Sequence, residues 1–263
     1  MIRTRRAGDT WQLQTAVIHL RHSTTGRRLT LLSMIHIGLP DYYERLGDII
    51  AEYEVDGRLV LFEGVGELPP EEAEALPEEE HQVYRSLASL NAAYQRIAAS
   101  LRLVAQPDAM PKPKPGWIRA DLPVRDLLRR WVKGRLPLIP AMEQAGGMLE
   151  SAFMRRAVRI ALLQEPLLLG AVGLLRGRLT GLGGMTHLLI DERNTAALAA
   201  FDSADGTRDA VMMYGAGHIP GLLAGFERRG FREAGREWYT AHEERIPYTD
   251  FFDRLAGKRG SRQ

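Results

Sequence analysis

The chain has 263 residues, of which 45% are hydrophobic and 26% are charged, and it contains no cysteine. That length and composition are typical of one globular domain with a sizeable core, and they exclude a disordered chain. The lack of cysteine excludes disulfides, thiolate metal sites and cysteine nucleophiles, so nitrogen and oxygen must hold any metal. A formal net charge of only +2 argues against nucleic acid as a partner.

The sequence predicts a single cytoplasmic domain over residues 1–263. Its N-terminal stretch is positively charged, but the apolar run of roughly 7–15 residues that a secretory signal needs does not follow. The most apolar stretch, 160–175, is interrupted by Gln164, Glu165 and Pro166, which predicts a buried helix and no transmembrane segment. The arginines around that stretch leave open an alternative role as a membrane-surface regulator.

The first predicted elements are two strands and a helix. Residues 11–21 and 28–37 flank a turn-forming segment, 23–26, and this pattern predicts a β-hairpin. The second strand is nearly all apolar, as expected of a strand covered on both faces, and it ends at His36. Pro40 then opens a helix that we expect to continue to about residue 53.

The next apolar run, 59–62, predicts a short buried strand that ends at Glu63. A helical region follows from residue 70 to about 103, and a stiff connector of alternating Pro and Lys follows at 107–115. Residues 117–120 predict another strand, which ends at Asp121. Strands that alternate with helices in this way indicate an α/β domain.

The second half of the chain predicts a helical insertion, or lid, at about 137–184. Asp191 is expected to cap a helix that runs to about residue 201. A buried strand at 210–214 then leads into His218 and a helix that ends near residue 229, and 231–239 predicts an edge strand. The predicted fold class is α/β, close to the α+β boundary, with a central mixed β-sheet flanked by helices.

Four polar side chains follow the predicted strands: His36, Glu63, Asp121 and His218. Ligands of open α/β sheets bind beyond the carboxyl ends of the strands, so these groups are candidates for one site. Two imidazoles and a carboxylate suit Zn, Mn, Co or Fe(II) and leave positions open for water and substrate. A histidine in a loop is also often structural, and no compact HExxH spacing is present.

Other residues suggest further roles, each with a plainer alternative. The amides of Gly215 and Gly217 can cradle an anion before a helix, although this spacing alone is a weak signal. Arg193 can stabilise an oxyanion and Asn194 can orient a ligand, unless both lie at an ordinary helix start beside Glu192. Glu67 would be a general base or a partner of a metal ligand if its loop is buried, and merely solvated if the loop is exposed.

Four segments resemble motifs of the TraB/PrgY/GumN and Tiki superfamily, which is related in fold to erythromycin esterase and ChaN proteins. Residues 32–38 and 213–221 are similar to its two GxxH motifs, 61–67 to its strand-end glutamate segment, and 191–194 to its ERN element. Ser33 stands where the first motif normally has Gly, which raises the question of backbone strain and reduced activity.

The resemblance implies a metal-dependent hydrolase that cleaves a peptide, or a small-molecule ester or amide, with a metal-activated water. It implies Mn, Co or Zn, with Fe as a further candidate, held by His36, Glu63 and His218. The same interpretation assigns proton transfer to Glu67 or Glu192 and oxyanion stabilisation to Arg193, and a homodimer is a candidate assembly. The residues expected near the substrate are Asp121, Asn194, Gly215 and Gly217. The alternative is a protein that sequesters a peptide or a haem-like ligand without turnover.

Overall fold

The computed structural model describes residues 1–138, 151–163 and 180–246, and helices flank a mixed seven-stranded sheet in this part of the chain, which confirms the predicted α/β class. The strands are β1 Ile2–Ala7, β2 Thr10–His22, β3 Arg28–Met34, β4 Ile37–Gly38, β5 Leu59–Phe62, β6 Val104–Ala105, β7 Ile118–Arg119, β8 Ala210–Gly215 and β9 Phe231–Arg245. The helices are α1 Pro40–Val55, α2 Pro70–Glu74, α3 Glu78–Leu101, α4 Gln106–Ala109, α5 Val124–Lys133, α6 Ala152–Leu162, α7 Thr180–Thr186, α8 Arg193–Ser203 and α9 Ile219–Arg228, with a π-helical segment at His187–Glu192.

The sheet has an antiparallel half and a parallel half. Strand β9 pairs along one edge of β2, while β1 and β3 share the other edge. From β3 onward the order is β3, β8, β5, β7, and these four strands are parallel. Because parallel strands point the same way, their carboxyl ends meet at one edge of the sheet, and this edge carries the polar residues singled out above.

Both faces of the parallel half are covered, which explains why its strands are continuously apolar. On one face, Phe201 of α8 and Leu222 and Phe226 of α9 pack against the sheet. On the other face, Tyr43 and Leu46 of α1 do so. The sheet is therefore the middle layer of three in the described part of the chain, and its strand ends form the edge where ligands of such sheets bind.

The predicted hairpin is confirmed, with Gly26 in its turn at φ +75°. The second strand is shorter than expected, because it ends at Met34 and Ile37–Gly38 pairs instead with Val104–Ala105 in a separate ladder. His36 therefore lies in a gap between two strands. The sequence analysis does not predict β1, which forms a second hairpin with β2.

Other boundaries also differ from the prediction. The helical region from residue 70 to 103 is two helices, α2 and α3, separated around Pro77. Asp191 does not cap a helix, because helical structure continues from Thr180 through the π-helical segment into α8 and no helix N-terminus exists there. The predicted edge strand is confirmed, but it extends to Arg245 because β2 supplies a partner along its full length.

The predicted helical insertion is described only in part. Residues 151–163 and 180–184 are mostly helical, while 139–150 and 164–179, with most of the predicted apolar helix 160–175, lie outside the described residues. Helix α6 is attached to the domain through Arg159, which donates to Glu244 Oε2 at 2.6 Å and accepts from His242 Nε2 at 2.9 Å through its carbonyl. Among the described helices, none combines the length and apolar character that crossing a membrane requires.

Candidate functional site

Glu63 is the centre of the polar cluster at the strand ends. Its Oε1 accepts from Arg193 Nη2 at 2.6 Å, and its Oε2 accepts from the backbone amide of Gly215 at 2.5 Å. Burial by itself would raise the pKa of Glu63, but Arg193, His218 and the Gly215 amide outweigh it and hold that pKa below its ordinary value. The carboxylate is therefore ionised at neutral pH.

Asp121 holds Arg193 in place. Its Oδ1 accepts from Arg193 Nε at 2.9 Å and its Oδ2 from Nη2 at 2.6 Å, while the amides of Leu122 and Gly64 donate to the same two oxygens. We call Glu63, Asp121 and Arg193 the carboxylate clamp. Burial lowers the pKa of Arg193, but its bonds to Asp121 and the charge of Glu63 raise it well above its ordinary value, so the guanidinium stays charged.

Two predicted roles change with this placement. The side chain of Asp121 is 0% exposed and pairs with Arg193, so its placement favours positioning of Arg193, and its predicted contact with substrate stays a prediction. Arg193, predicted to stabilise an oxyanion, directs Nε and Nη2 to the clamp carboxylates and Nη1 to the carbonyl of Leu189. In this arrangement the guanidinium orients Glu63.

His218 is buried beside Glu63 and is oriented by Asn194. Asn194 Nδ2 donates to the His218 carbonyl at 3.2 Å, so its Oδ1 accepts from His218 Nδ1 at 2.8 Å. Both polar atoms of the Asn194 side chain are thus bonded to His218, which favours a positioning role, and its predicted contact with substrate stays a prediction. Burial is the main cause of the lowered pKa of His218, Arg193 adds to it and Glu63 opposes it, so the ring is neutral at pH 7 and the Nε2 lone pair is free.

The ring nitrogen with that lone pair lies close to a negative charge. His218 Nε2 lies 3.4 Å from Glu63 Oε1, and a lone pair facing a carboxylate oxygen is unfavourable unless a cation or proton lies between them. Two donors bound to one ion at about 2.1 Å with a near-tetrahedral angle lie about 3.4 Å apart. The bond from Asn194 to the other ring nitrogen is typical of a metal-binding histidine. Glu63 and His218 thus fit two ligands of one divalent ion.

His36, the third predicted ligand, lies apart from this pair. Its ring is accessible to solvent and stacks on Tyr94 of α3, with the ring centroids 4.8 Å apart. The protein atoms around the ring lower the pKa of His36, as does Arg193, and Glu63 opposes them. Within the described ranges, no three His, Asp or Glu side chains form a group that could hold a metal.

The glycines and Ser33 of the motif-like segments have structural tasks. A Cβ at Gly215 would lie 3.0 Å from Glu63 Oε2, so the small residue allows the amide to reach the carboxylate. The anion that this amide binds is the protein's own, whereas Gly217 is exposed. Ser33 continues β3 without a positive φ, and its Oγ accepts from the Met1 amino group at 2.7 Å. Backbone strain at Ser33 is therefore absent.

A groove of about 570 Å³ opens next to the clamp, and we call it the strand-end groove. Phe62 is the register partner of both Met213 and Arg119, so these three side chains share one face of the sheet and line the groove. Trp117 lines it as well, and residues 107–113 overhang it. Glu63 reaches its wall, which connects the groove to the clamp.

The two candidate proton-transfer residues lie in different places. Glu67 is exposed and lines the strand-end groove together with Glu63. Glu192 instead forms an ion pair with Arg130, and His187 Nε2 lies 3.7 Å from its other oxygen. The placement of Glu192 therefore gives no support to its predicted role, because its carboxylate lies beside Arg130 and His187 rather than beside Glu63 or His218.

Three residues near the site are missing from the sequence prediction. Trp117 and Arg119 line the groove, and their spacing of two within a strand, which puts them on one face, is a signal that the sequence contains. Tyr214 packs edge-on against the His218 ring and donates to the Ala120 carbonyl at 2.5 Å. Burial raises the pKa of Tyr214, so the hydroxyl remains protonated.

No family model, curated protein or solved structure matches the chain. The similarity to the TraB/PrgY/GumN and Tiki superfamily therefore remains a prediction from four short segments.

Proposed function

We propose that this protein is a metal-dependent hydrolase that cleaves an amide or ester bond at the junction of the carboxylate clamp and the strand-end groove. The observation that carries the proposal is the approach of the neutral His218 Nε2 to the ionised Glu63 at 3.4 Å. Both atoms have the chemistry and the separation of ligands to one divalent ion. His36 is the third ligand that we expect, since the residue is exposed and follows β3 at the same edge of the sheet.

A divalent ion such as Mn, Co, Zn or Fe at this position would supply Lewis acidity and lower the pKa of water. The protein side chains supply the rest. Arg193 and the Gly215 amide keep Glu63 ionised and in one orientation, and Asn194 keeps the His218 lone pair on Nε2. Glu67, which is exposed and lines the groove, would accept a proton and return it to the leaving group.

The first experiment is elemental analysis of protein purified without chelator or affinity-tag metal. We expect about one divalent ion per chain in the wild type and its loss in His36→Ala and His218→Ala. His81→Ala, which removes a histidine of α3 that makes no contact with Glu63 or His218 in the described structure, is the matched control and should retain the metal. A wild type that binds no metal even after reconstitution would overturn the proposal.

A binding protein without turnover is the second candidate, and one observation favours it. Arg193 already pairs with both Glu63 and Asp121 at 2.6 Å, so each clamp carboxylate has a counter-ion without a metal. Mass spectrometry of peptides and esters incubated with the protein separates the two functions. Cleaved products that need both His218 and metal identify the hydrolase, whereas ligands recovered intact after denaturation identify the sequestering protein.

A further inference from the structure

The strand-end groove contains a positive charge that the proposed function does not use. Arg119 is the last residue of β7 and is exposed in the groove. It makes no hydrogen bond or ion pair with any residue of the described part of the chain, in contrast to the fully bonded Arg193. A guanidinium that faces a concave surface without a partner is suited to bind an anionic group of a ligand.

The structure leaves room for this guanidinium. It lies over the backbone of Gly66, where a Cβ would be 2.3 Å from Arg119 Nη1, and Gly66 has φ +82°. Trp117, two residues earlier on the same face, is fixed by a hydrogen bond from its Nε1 to Glu54 Oε1 at 2.8 Å. The guanidinium of Arg119 and the apolar ring of Trp117 therefore line the groove next to each other.

Arg119 is the cation of the groove that is best suited to bind a carboxylate. Lys112 also lines the groove, but its Nζ is tethered to the Pro107 carbonyl by a hydrogen bond of 2.5 Å. Arg119 has no such bond in the described part of the chain, so its guanidinium can bind a carboxylate through two parallel hydrogen bonds. Glu63 lies on the wall of the same groove, so a ligand held at Arg119 can extend towards it.

We propose that the groove binds substrates with a free carboxylate next to an apolar side chain. The carboxylate pairs with Arg119, the side chain packs on Phe62, Trp117 and Met213, and the preceding amide bond extends towards Glu63. This inference rests on the proposed function and narrows its substrate class to peptides or N-acyl amino acids with an apolar C-terminal residue.

The test compares N-acetyl-phenylalanyl-leucine as the free acid and as its C-terminal amide, with binding to the purified protein measured by calorimetry. We expect the acid to bind at least about tenfold more tightly, because a guanidinium–carboxylate bond is charge-assisted. Arg119→Gln should remove this preference, and the matched control Arg5→Gln, an exposed arginine of β1, should retain it. Equal binding of acid and amide, no binding of either at about 10 mM, or an acid preference that survives in Arg119→Gln would overturn the inference.

Chromatography of the same samples separates this inference from the proposed function. Cleavage without a preference for the acid would support the proposed hydrolase and contradict the proposed role of Arg119. An acid preference without cleavage, even with added metal, would support the role of Arg119 and contradict the hydrolase.

Discussion

The carboxylate clamp and the strand-end groove are built from the same two strand ends and have opposite relations to solvent. Strand β5 supplies Phe62 to the groove and is followed by Glu63 of the clamp, and β7 ends at Arg119 of the groove shortly before Asp121 of the clamp. The clamp is buried, and its charges pair with each other. In the groove, the guanidinium is exposed and makes no ion pair with another described residue.

This difference predicts which of the two regions contributes to the stability of the fold and which contributes to ligand binding. Removing one member of a buried, bonded charge cluster leaves its partners desolvated and unpaired, which is expensive. Removing an exposed charge costs the fold little, because water replaces the interaction. We therefore expect clamp variants to lose stability and groove variants to lose binding, and the following variants test that contrast.

The largest effect should come from Arg193→Met, which leaves Glu63 and Asp121 buried without a counter-ion. We expect the free energy of unfolding, measured in urea, to fall by about 3–5 kcal/mol. The matched control is Arg229→Met, which removes the partly exposed pair with Asp202 and should cost less than about 1 kcal/mol. Equal losses of unfolding free energy in both variants would mean that the buried charges of the clamp stabilise the fold no more than an exposed ion pair does.

Asn194→Ala should have the next largest effect. It removes the partner of His218 Nδ1 and one of the two donors to the His218 carbonyl, which keeps its bond from the Leu222 amide. An unsatisfied buried group costs about 1–3 kcal/mol. Ser203→Ala, at the exposed end of the same helix, is the control. If the proposed metal site is correct, Asn194→Ala also weakens metal affinity. Unchanged metal affinity would mean that Asn194 does not position a metal ligand.

Gly66→Ala tests the connection between the backbone and the groove. The positive φ of Gly66 disfavours alanine by about 1–2 kcal/mol, and the new methyl group would collide with the Arg119 guanidinium. We expect a moderate loss of stability together with a reduced preference for the acid ligand. A variant that keeps the full preference would show that the position of Arg119 does not depend on Gly66.

Acidification should destabilise the protein moderately. Burial lowers the pKa of His218 and of His242 in the folded state relative to about 6.5 in the unfolded chain. The unfolded chain therefore binds more protons between these values, so stability is complete above about pH 6.5 and falls as the pH drops towards the folded pKa values. Urea unfolding at about pH 7.5 and about pH 5.5 measures this change. A stability that does not change over this range would contradict burial of neutral imidazoles.

The smallest effect on stability should be that of Arg119→Gln. Because this exposed guanidinium makes no bond to another described residue, we expect a change below about 0.5 kcal/mol. The same variant should lose the acid preference in calorimetry. A large loss of stability would mean that Arg119 stabilises the fold, as the clamp residues do.

Local sequence patterns are enough to predict the class of the fold and the edge of the sheet where polar groups gather. Continuous apolar runs within 28–37, at 59–62 and at 210–214 predict strands, because burial on both faces requires apolar side chains throughout. Glu63 follows its strand directly, Asp121 follows the short strand β7, and His218 follows β8, so parallel pairing brings these three to one edge. His36 follows β3 at the same edge but lies apart from the Glu63–His218 pair.

The hydrogen-bond partners of each polar group at that edge follow from tertiary contacts. Arg193, Asn194 and Asp121 look like ligand contacts in sequence, but the packing of α8 beside the strand ends commits their donors and acceptors to Glu63, His218 and one another. Glu67 and Arg119 are exposed, because the segments of the chain that contain them border the groove. Burial and partner choice depend on contacts between residues such as 63 and 193, and local patterns contain no information about such distant pairs.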